Sequence, residues 1–162
     1  MVPVIAFVGR HNAGKTTLLS NLISRLQQKG IECAVVKNSH HLLTPDNSDS
    51  GQLYAAGAQQ VYLSTPQETL IYRREEKLSL EKILEQIMPS VDVIFLEGFK
   101  QSVYPKIEVI RSEVDPEPLN VTNVIARITD VPDLGDGIPQ FAFEQEAELL
   151  QFILEHIKSA HG

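Results

Sequence analysis

Residues 9–16 read Gly9-Arg10-His11-Asn12-Ala13-Gly14-Lys15-Thr16, and what flanks them decides the fold. Just before them, Val2 to Val8 (VPVIAFV) is a continuous apolar, β-rich run. Such a run predicts a strand buried on both faces, as parallel strands are. Just after them, Leu18, Leu19, Leu22, Ile23 and Leu26 fall on one face of a 3.6-residue period, predicting a helix from Lys15 to Lys29. Lys29-Gly30 ends it, with a cation in the last turn and a residue free to take the left-handed cap. Glu32 to Lys37 (ECAVVK) reads as a second strand and completes a βαβ unit.

The connecting octapeptide matches G-x-x-x-x-G-K-[ST] in full. Glycine lets the backbone curl so that successive N–H groups aim at one phosphate, with no side chain in the way. The loop opens onto a helix N-terminus, whose unpaired amides and dipole favour an anion. Lys15 then reaches the β- and γ-phosphates, and the Thr16 hydroxyl can ligate Mg²⁺. A shuffled chain of this composition would show the pattern about three times per thousand, and the strand–loop–helix context makes chance rarer still.

Working outward, residues 38–51 (NSHHLLTPDNSDSG) are polar and turn-rich and read as a long loop. A short helix is expected over Gln52 to Gln60, then a hairpin from Val61–Thr65 and Thr69–Arg73 around Pro66. Leu80 to Met88 is amphipathic, with Ser79 as N-cap and Pro89 as its stop. Val91 to Leu96 (VDVIFL), Lys106 to Arg111, Val124 to Thr129 and Gln140 to Phe143 read as strands. Glu144 to Ala160 closes the chain as a helix. Strands alternating with helices imply an α/β domain: a three-layer sandwich around a mostly parallel, mixed sheet, spanning residues 1–162 as one nucleotide-binding unit.

Composition removes other classes. With 162 residues, 43% apolar and 22% charged, the chain has enough apolar surface for a core and is no disordered tail. One cysteine, Cys33, allows neither an internal disulfide nor a Cys-rich zinc site, and predicts a reducing, cytoplasmic setting. Cys33 itself reads as a small buried side chain. No apolar stretch is long enough for a membrane span, and the first residues lack the basic region of a signal peptide. The net charge of −7 disfavours a nucleic-acid partner. Its distribution matters more: residues 1–107 carry eleven basic and ten acidic side chains, residues 108–162 three and eleven. The phosphate loop therefore lies on a background that does not repel anions.

Other residues acquire roles from their place. Open α/β sheets bind ligands at the carboxyl ends of their strands. Glu97, ending VDVIFL, is the expected acidic partner of Thr16 at Mg²⁺, with Gly98 allowing close approach. Lys37, ending the second strand, lies at the same sheet edge and is a phosphate-contact candidate. Lys100 and Lys106 are expected to add a basic patch. Asp46 and Asp49 in the long loop are candidates for metal or water positioning, or solvated turn formers. His40 and His41 are adjacent and would face opposite sides of an extended segment. Asp92 opens its strand at the far sheet edge, and Arg73-Arg74 before Glu75-Glu76 suggests a charge-paired turn. No N-K-x-D sequence is present to read guanine; Asp130 is the carboxylate placed to do so, or else opens the turn at Val131-Pro132.

The combination of GRHNAGKTTL (9–18), VVK followed by HH (35–41), DSGQLYAAGA (49–58) and FLEGFK…PKIEV (95–109) resembles the molybdopterin-guanine dinucleotide biosynthesis protein B family, from Val4 to about Asp130. The resemblance implies a small, dimeric P-loop GTP-binding protein with weak GTPase activity. It implies an accessory role beside the guanylyltransferase that attaches GMP to molybdopterin, with the pterin cofactor as a further ligand. It implies Mg-GTP at Gly9 to Thr17, with Glu97 as the acidic group of the second nucleotide motif and Asp49-Ser50 in a loop lining the site. Where that family commonly shows Gly-Lys-Asp-Ser, this chain has Asn47-Ser48-Asp49-Ser50 and so lacks the lysine. Two other classes share the loop: a small-molecule kinase or ATP-dependent ligase, which needs an acceptor pocket with an Asp base, and a metal-insertion GTPase chaperone, which needs a Cys/His cluster.

Overall fold

The computed structural model describes residues 2–39, 47–132 and 134–161. His40, His41 and Asp46 lie outside them. Two compact units are formed: Met1–Asn38 with Ile83–Gly162, and Ser39–Lys82.

The first unit is built on a six-stranded sheet. Its strands are β1 (Val4–Gly9), β2 (Cys33–Lys37), β5 (Val93–Glu97), β6 (Lys106–Ile110), β7 (Val124–Thr129) and β8 (Gln140–Phe141), in the spatial order β2-β5-β1-β6-β7-β8. Every neighbouring pair is parallel. The antiparallel pairing expected from the sequence is confined to the hairpin of the second unit.

Side-chain alternation sorts the sheet's two faces. Ile5 and Phe7 of β1, Val93 and Phe95 of β5, Ile107 and Val109 of β6, and Ala126 and Ile128 of β7 share one core. Against them pack Leu18, Leu19, Leu22 and Leu26 of α1 (Lys15–Gln27) and Leu149, Leu150, Ile153 and Ile157 of α4 (Glu146–His161). Phe7 meets Phe95 edge-on, with centroids 5.7 Å apart, a geometry adding about 1 kcal/mol beyond burial. Glu146 in the first turn of α4 clasps α1, accepting from Asn21 at 2.8 Å and Arg25 at 2.7 Å. The opposite face is also sealed: Ala6, Val8, Ile94 and Leu96 have no exposed surface.

On β6 and β7 that opposite face carries charge. Lys106, Glu108 and Arg127 are buried there. Glu108 and Arg127 are register partners, and Arg127 Nε donates to Glu108 Oε2 at 2.9 Å. Glu108 Oε1 accepts from the Leu119 amide, and Arg127 also pairs with Asp136. One ion network thus ties down both connections that leave the carboxyl ends of β6 and β7.

The second unit contains α2 (Asp49–Ala55), β3 (Gln60–Ser64) and β4 (Thr69–Arg73). α2 begins three residues before the expected Gln52. Ser48 caps it, its hydroxyl accepting from the Gly51 amide at 3.2 Å, so a run that reads as a turn is a helix start. Tyr54 of α2 packs on Tyr72 of β4, and the Arg74 guanidinium lies 4.1 Å over the Tyr54 ring. The charge-paired turn expected at 73–76 is therefore half present: Arg73 reaches Glu75 at 3.8 Å, whereas Arg74 stacks. On the hairpin, Tyr62 opposes Ile71 and Leu63 opposes Leu70, and all four are exposed.

α3 (Leu80–Ile87) runs into a 3-10 turn at Met88–Ser90. Its first turn is held by Ser79, whose hydroxyl accepts from the Lys82 amide. Asp92 keeps to the expected far edge, where Oδ2 accepts from the Glu32 amide at 2.8 Å and aligns β2 with β5.

Candidate functional site

The phosphate-loop sequence lies between β1 and α1, at the carboxyl edge of the sheet. Gly9 ends β1 against Val109 of β6, its register partner. A Cβ on Gly9 would stand 2.4 Å from the Val109 carbonyl oxygen, so any larger residue would push the two central strands apart. Gly14 takes φ +91° and caps α1 without a side-chain hydrogen bond. No acidic residue occupies the first turn of α1. The positive end of the helix dipole is thus left for an anion from outside the helix.

Two strand ends and the start of α1 place charged side chains here. Along β5, Val93 and Phe95 face α1, so by alternation Glu97 faces α1 as well. The Thr16 hydroxyl donates to Glu97 Oε1 at 2.9 Å. On β2, Lys37 is the register partner of Glu97, and its ammonium reaches Glu97 Oε1 at 3.0 Å and Thr16 Oγ1 at 3.4 Å. Lys15 folds over the loop and donates to the carbonyls of Arg10 at 2.6 Å and Gly9 at 3.4 Å. Its pKa is lowered by burial first, with the Lys100 and Lys37 charges adding and Glu97 opposing. The Lys15 and Lys37 ammonium groups thus stand beside one carboxylate, a surplus of positive charge at the mouth of the loop.

The donor set suits a hard cation. A hydroxyl and a carboxylate are the oxygen ligands Mg²⁺ takes, usually as a minority among waters and phosphate oxygens. Among the described residues no three His, Cys, Asp or Glu side chains gather in one place. Thr16 and Glu97 would therefore hold such an ion together with ligands that a phosphate and water provide.

Not every expected residue is brought to this edge. Lys106 is a correction: rather than joining a surface basic patch, it is wholly buried, its ammonium donating to the Ser102 and Tyr104 carbonyls. β6 is an inner strand covered on both faces, so its side chains cannot reach solvent. Lys100 remains exposed. Asp49 opens α2 in the second unit. Asp130 follows β7, and its Oδ1 accepts from the Ser112 amide at 2.7 Å, which holds its carboxyl below the usual range.

Sequence reasoning missed two arginine contacts. Arg10 of the loop pairs with Asp115 at 2.8 Å, fastening the loop to the connection after β6. Arg111, immediately after β6, stacks 3.9 Å over Phe143 and passes 3.6 Å from where a Gly14 side chain would begin. A basic residue directly following a buried strand beside β1 is the signal that marks it. The thiol of Cys33, half-buried and pushed up to about 11 by burial and Asp92, lines a separate groove at the other end of α1. A thiol so protonated is a poor nucleophile.

Known proteins resemble this chain in sequence and in fold. Residues 4–130 match the family model described as molybdopterin guanine dinucleotide synthesis protein B. The chain is 32% identical to the molybdopterin-guanine dinucleotide biosynthesis adapter protein of Escherichia coli K12, over all of this chain and 97% of that one. It is 31% identical to the protein of the same description from Haemophilus influenzae, over 85% and 88% of the two chains. Its fold superposes on the crystal structure of Bacillus subtilis MobB with a TM-score of 0.78 at 24% identity, covering 94% and 96% of the chains. The chain belongs to the molybdopterin guanine dinucleotide synthesis protein B family.

Proposed function

We propose that this protein binds Mg-GTP at residues 9–17 and serves as an adapter in the cytoplasmic synthesis of the guanine dinucleotide form of the molybdenum cofactor. Its partner in this reading is the guanylyltransferase that joins GMP to molybdopterin, with the pterin as the ligand passed between them. One observation carries the nucleotide assignment: Lys15, Thr16 and Glu97 converge at a helix N-terminus whose cap, Gly14, makes no side-chain hydrogen bond, the first two from the loop and the third from a strand far along the chain. The backbone from Gly9 to Thr17 cradles the phosphates, with Arg10, His11, Asn12 and Ala13 forming the curve of the loop. Lys15 leaves the Arg10 carbonyl and neutralises charge on the terminal phosphate. When bound, Mg²⁺ supplies further neutralisation of the phosphate oxygens. Asp130, at the carboxyl end of β7, is the group assigned to the guanine edge. Glu97, which accepts from the Thr16 hydroxyl, is the group assigned to organise the attacking water.

Hydrolysis in this reading is slow. Arg10 and Arg111, the two arginines found beside the loop, are engaged by Asp115 and by the Phe143 ring. Neither is free to act as an arginine finger, which is worth about 10³-fold or more in rate. The protein acts as a homodimer. A two-stranded sheet is marginal alone, and the hairpin exposes an apolar pair on each face, Leu63 with Leu70 on one and Tyr62 with Ile71 on the other, for a second copy to cover. Titration of GTP and ATP against wild type and Lys15→Ala tests the assignment. It stands if GTP binds more tightly than ATP and Lys15→Ala loses most of that affinity. Equal binding by Lys15→Ala removes it.

A further inference from the structure

The ammonium of Lys37 stands in an unexpected place. It touches Thr16 Oγ1 and Glu97 Oε1, the two oxygens that suit a divalent cation, while those oxygens are hydrogen-bonded to each other. Register fixes the arrangement, because Lys37 and Glu97 oppose each other across β2 and β5 and both side chains point to the α1 face. Glu97 is only 11% exposed, so without a countercharge it would be a poorly solvated carboxylate. The Lys37 side chain is 57% exposed and can swing into solvent at small cost.

Resting on the nucleotide-site reading above, we propose that Lys37 is a place-holder for the metal: in the nucleotide-free protein its ammonium closes Thr16 and Glu97 against divalent cations. A dication approaching that pair meets the Lys37 ammonium and a hydroxyl whose proton points at the carboxylate. Phosphates arriving at the loop give the ammonium another anion to pair with. Lys37 then leaves, the Thr16 hydroxyl rotates to present a lone pair, and the pair opens. Metal entry is thereby tied to nucleotide entry, and the empty protein does not collect stray cations. The direct phosphate contact expected of Lys37 becomes the second half of this exchange.

The test uses Mn²⁺ as the probe, with free Mn²⁺ measured by electron paramagnetic resonance in nucleotide-free protein. Lys37→Met should bind Mn²⁺ at least about tenfold more tightly than wild type, since a partly buried ion pair contributes on that scale. Lys37→Arg keeps the charge and should stay within about threefold of wild type. If Lys37→Met gains nothing, or if Lys37→Arg gains as much as Lys37→Met, the place-holder is wrong. A parallel GTP titration on wild type keeps the readings apart. Its failure would sink the nucleotide assignment, whereas the Mn²⁺ comparison contains no nucleotide.

Discussion

Replacing Arg127 by Met should cost the protein a large share of its stability while leaving the phosphate loop's own residues untouched. Arg127 is 5% exposed and Glu108 fully buried, with Arg127 Nε 2.9 Å from Glu108 Oε2. Arg127→Met keeps most of the side-chain volume but strands a carboxylate whose remaining partner is the Leu119 amide. Breaking one side of a buried pair costs about 3–5 kcal/mol, because the surviving charge stays desolvated. For a chain of this length each kcal/mol shifts Tm by about 2–4 °C, so a fall of roughly 6–20 °C is expected. Urea unfolding followed by circular dichroism measures the free energy, and thermal unfolding checks the Tm. The double variant Glu108→Gln/Arg127→Met removes the stranded charge and should regain at least about half of the loss. A single variant within about 1 kcal/mol of wild type would refute the reasoning, as would a double variant no more stable than the single.

Other outcomes follow from separate parts of the structure. Gly9→Ala, with its Cβ 2.4 Å from the Val109 carbonyl, should lose about 1–3 kcal/mol and most GTP affinity together; normal stability with normal binding would contradict the strand-contact argument. Acid sensitivity has a definite sign. Asp130 is held low by the Ser112 amide and Asp136 by the Arg127 hydrogen bond, so the native state binds fewer protons than the unfolded one. Stability should be level at neutral pH, then decline as pH falls below about 4 through the depressed native pKa values, and Asp130→Asn should shallow that decline. Leu70→Glu on the exposed hairpin should weaken self-association at least about tenfold by sedimentation equilibrium; an unchanged dimer would place the interface elsewhere.

Periodicity and glycine placement made the βαβ unit legible at once. β1, α1 and β2 lie where the apolar runs end, and β7 runs Val124–Thr129 as its pattern predicts. Glu97 was legible for the same reason, since a carboxylate that ends a wholly apolar strand stands at the edge where parallel sheets bind their ligands. Long-range pairing was not. Lys106 reads as a surface cation, and only the fold of residues 98–105 reveals the carbonyls that hold it inside. The start of α2 was hidden because Asn47-Ser48-Asp49-Ser50 suits a turn as well as a capped helix. Arg10 with Asp115, and Arg111 with Phe143, join residues 105 and 32 positions apart, beyond any local pattern. The engagement of Lys37 by Thr16 and Glu97 likewise needed the sheet register, which no single strand contains.

The central claim is that Thr16 and Glu97 complete a metal-assisted nucleotide site on the loop. The direct measurement is GTP affinity with and without Mg²⁺, for wild type and Thr16→Ala. Wild type should bind GTP at least about tenfold more tightly with Mg²⁺, and Thr16→Ala should keep the metal-free affinity while losing that gain. An identical Mg²⁺ dependence in both proteins would contradict the account.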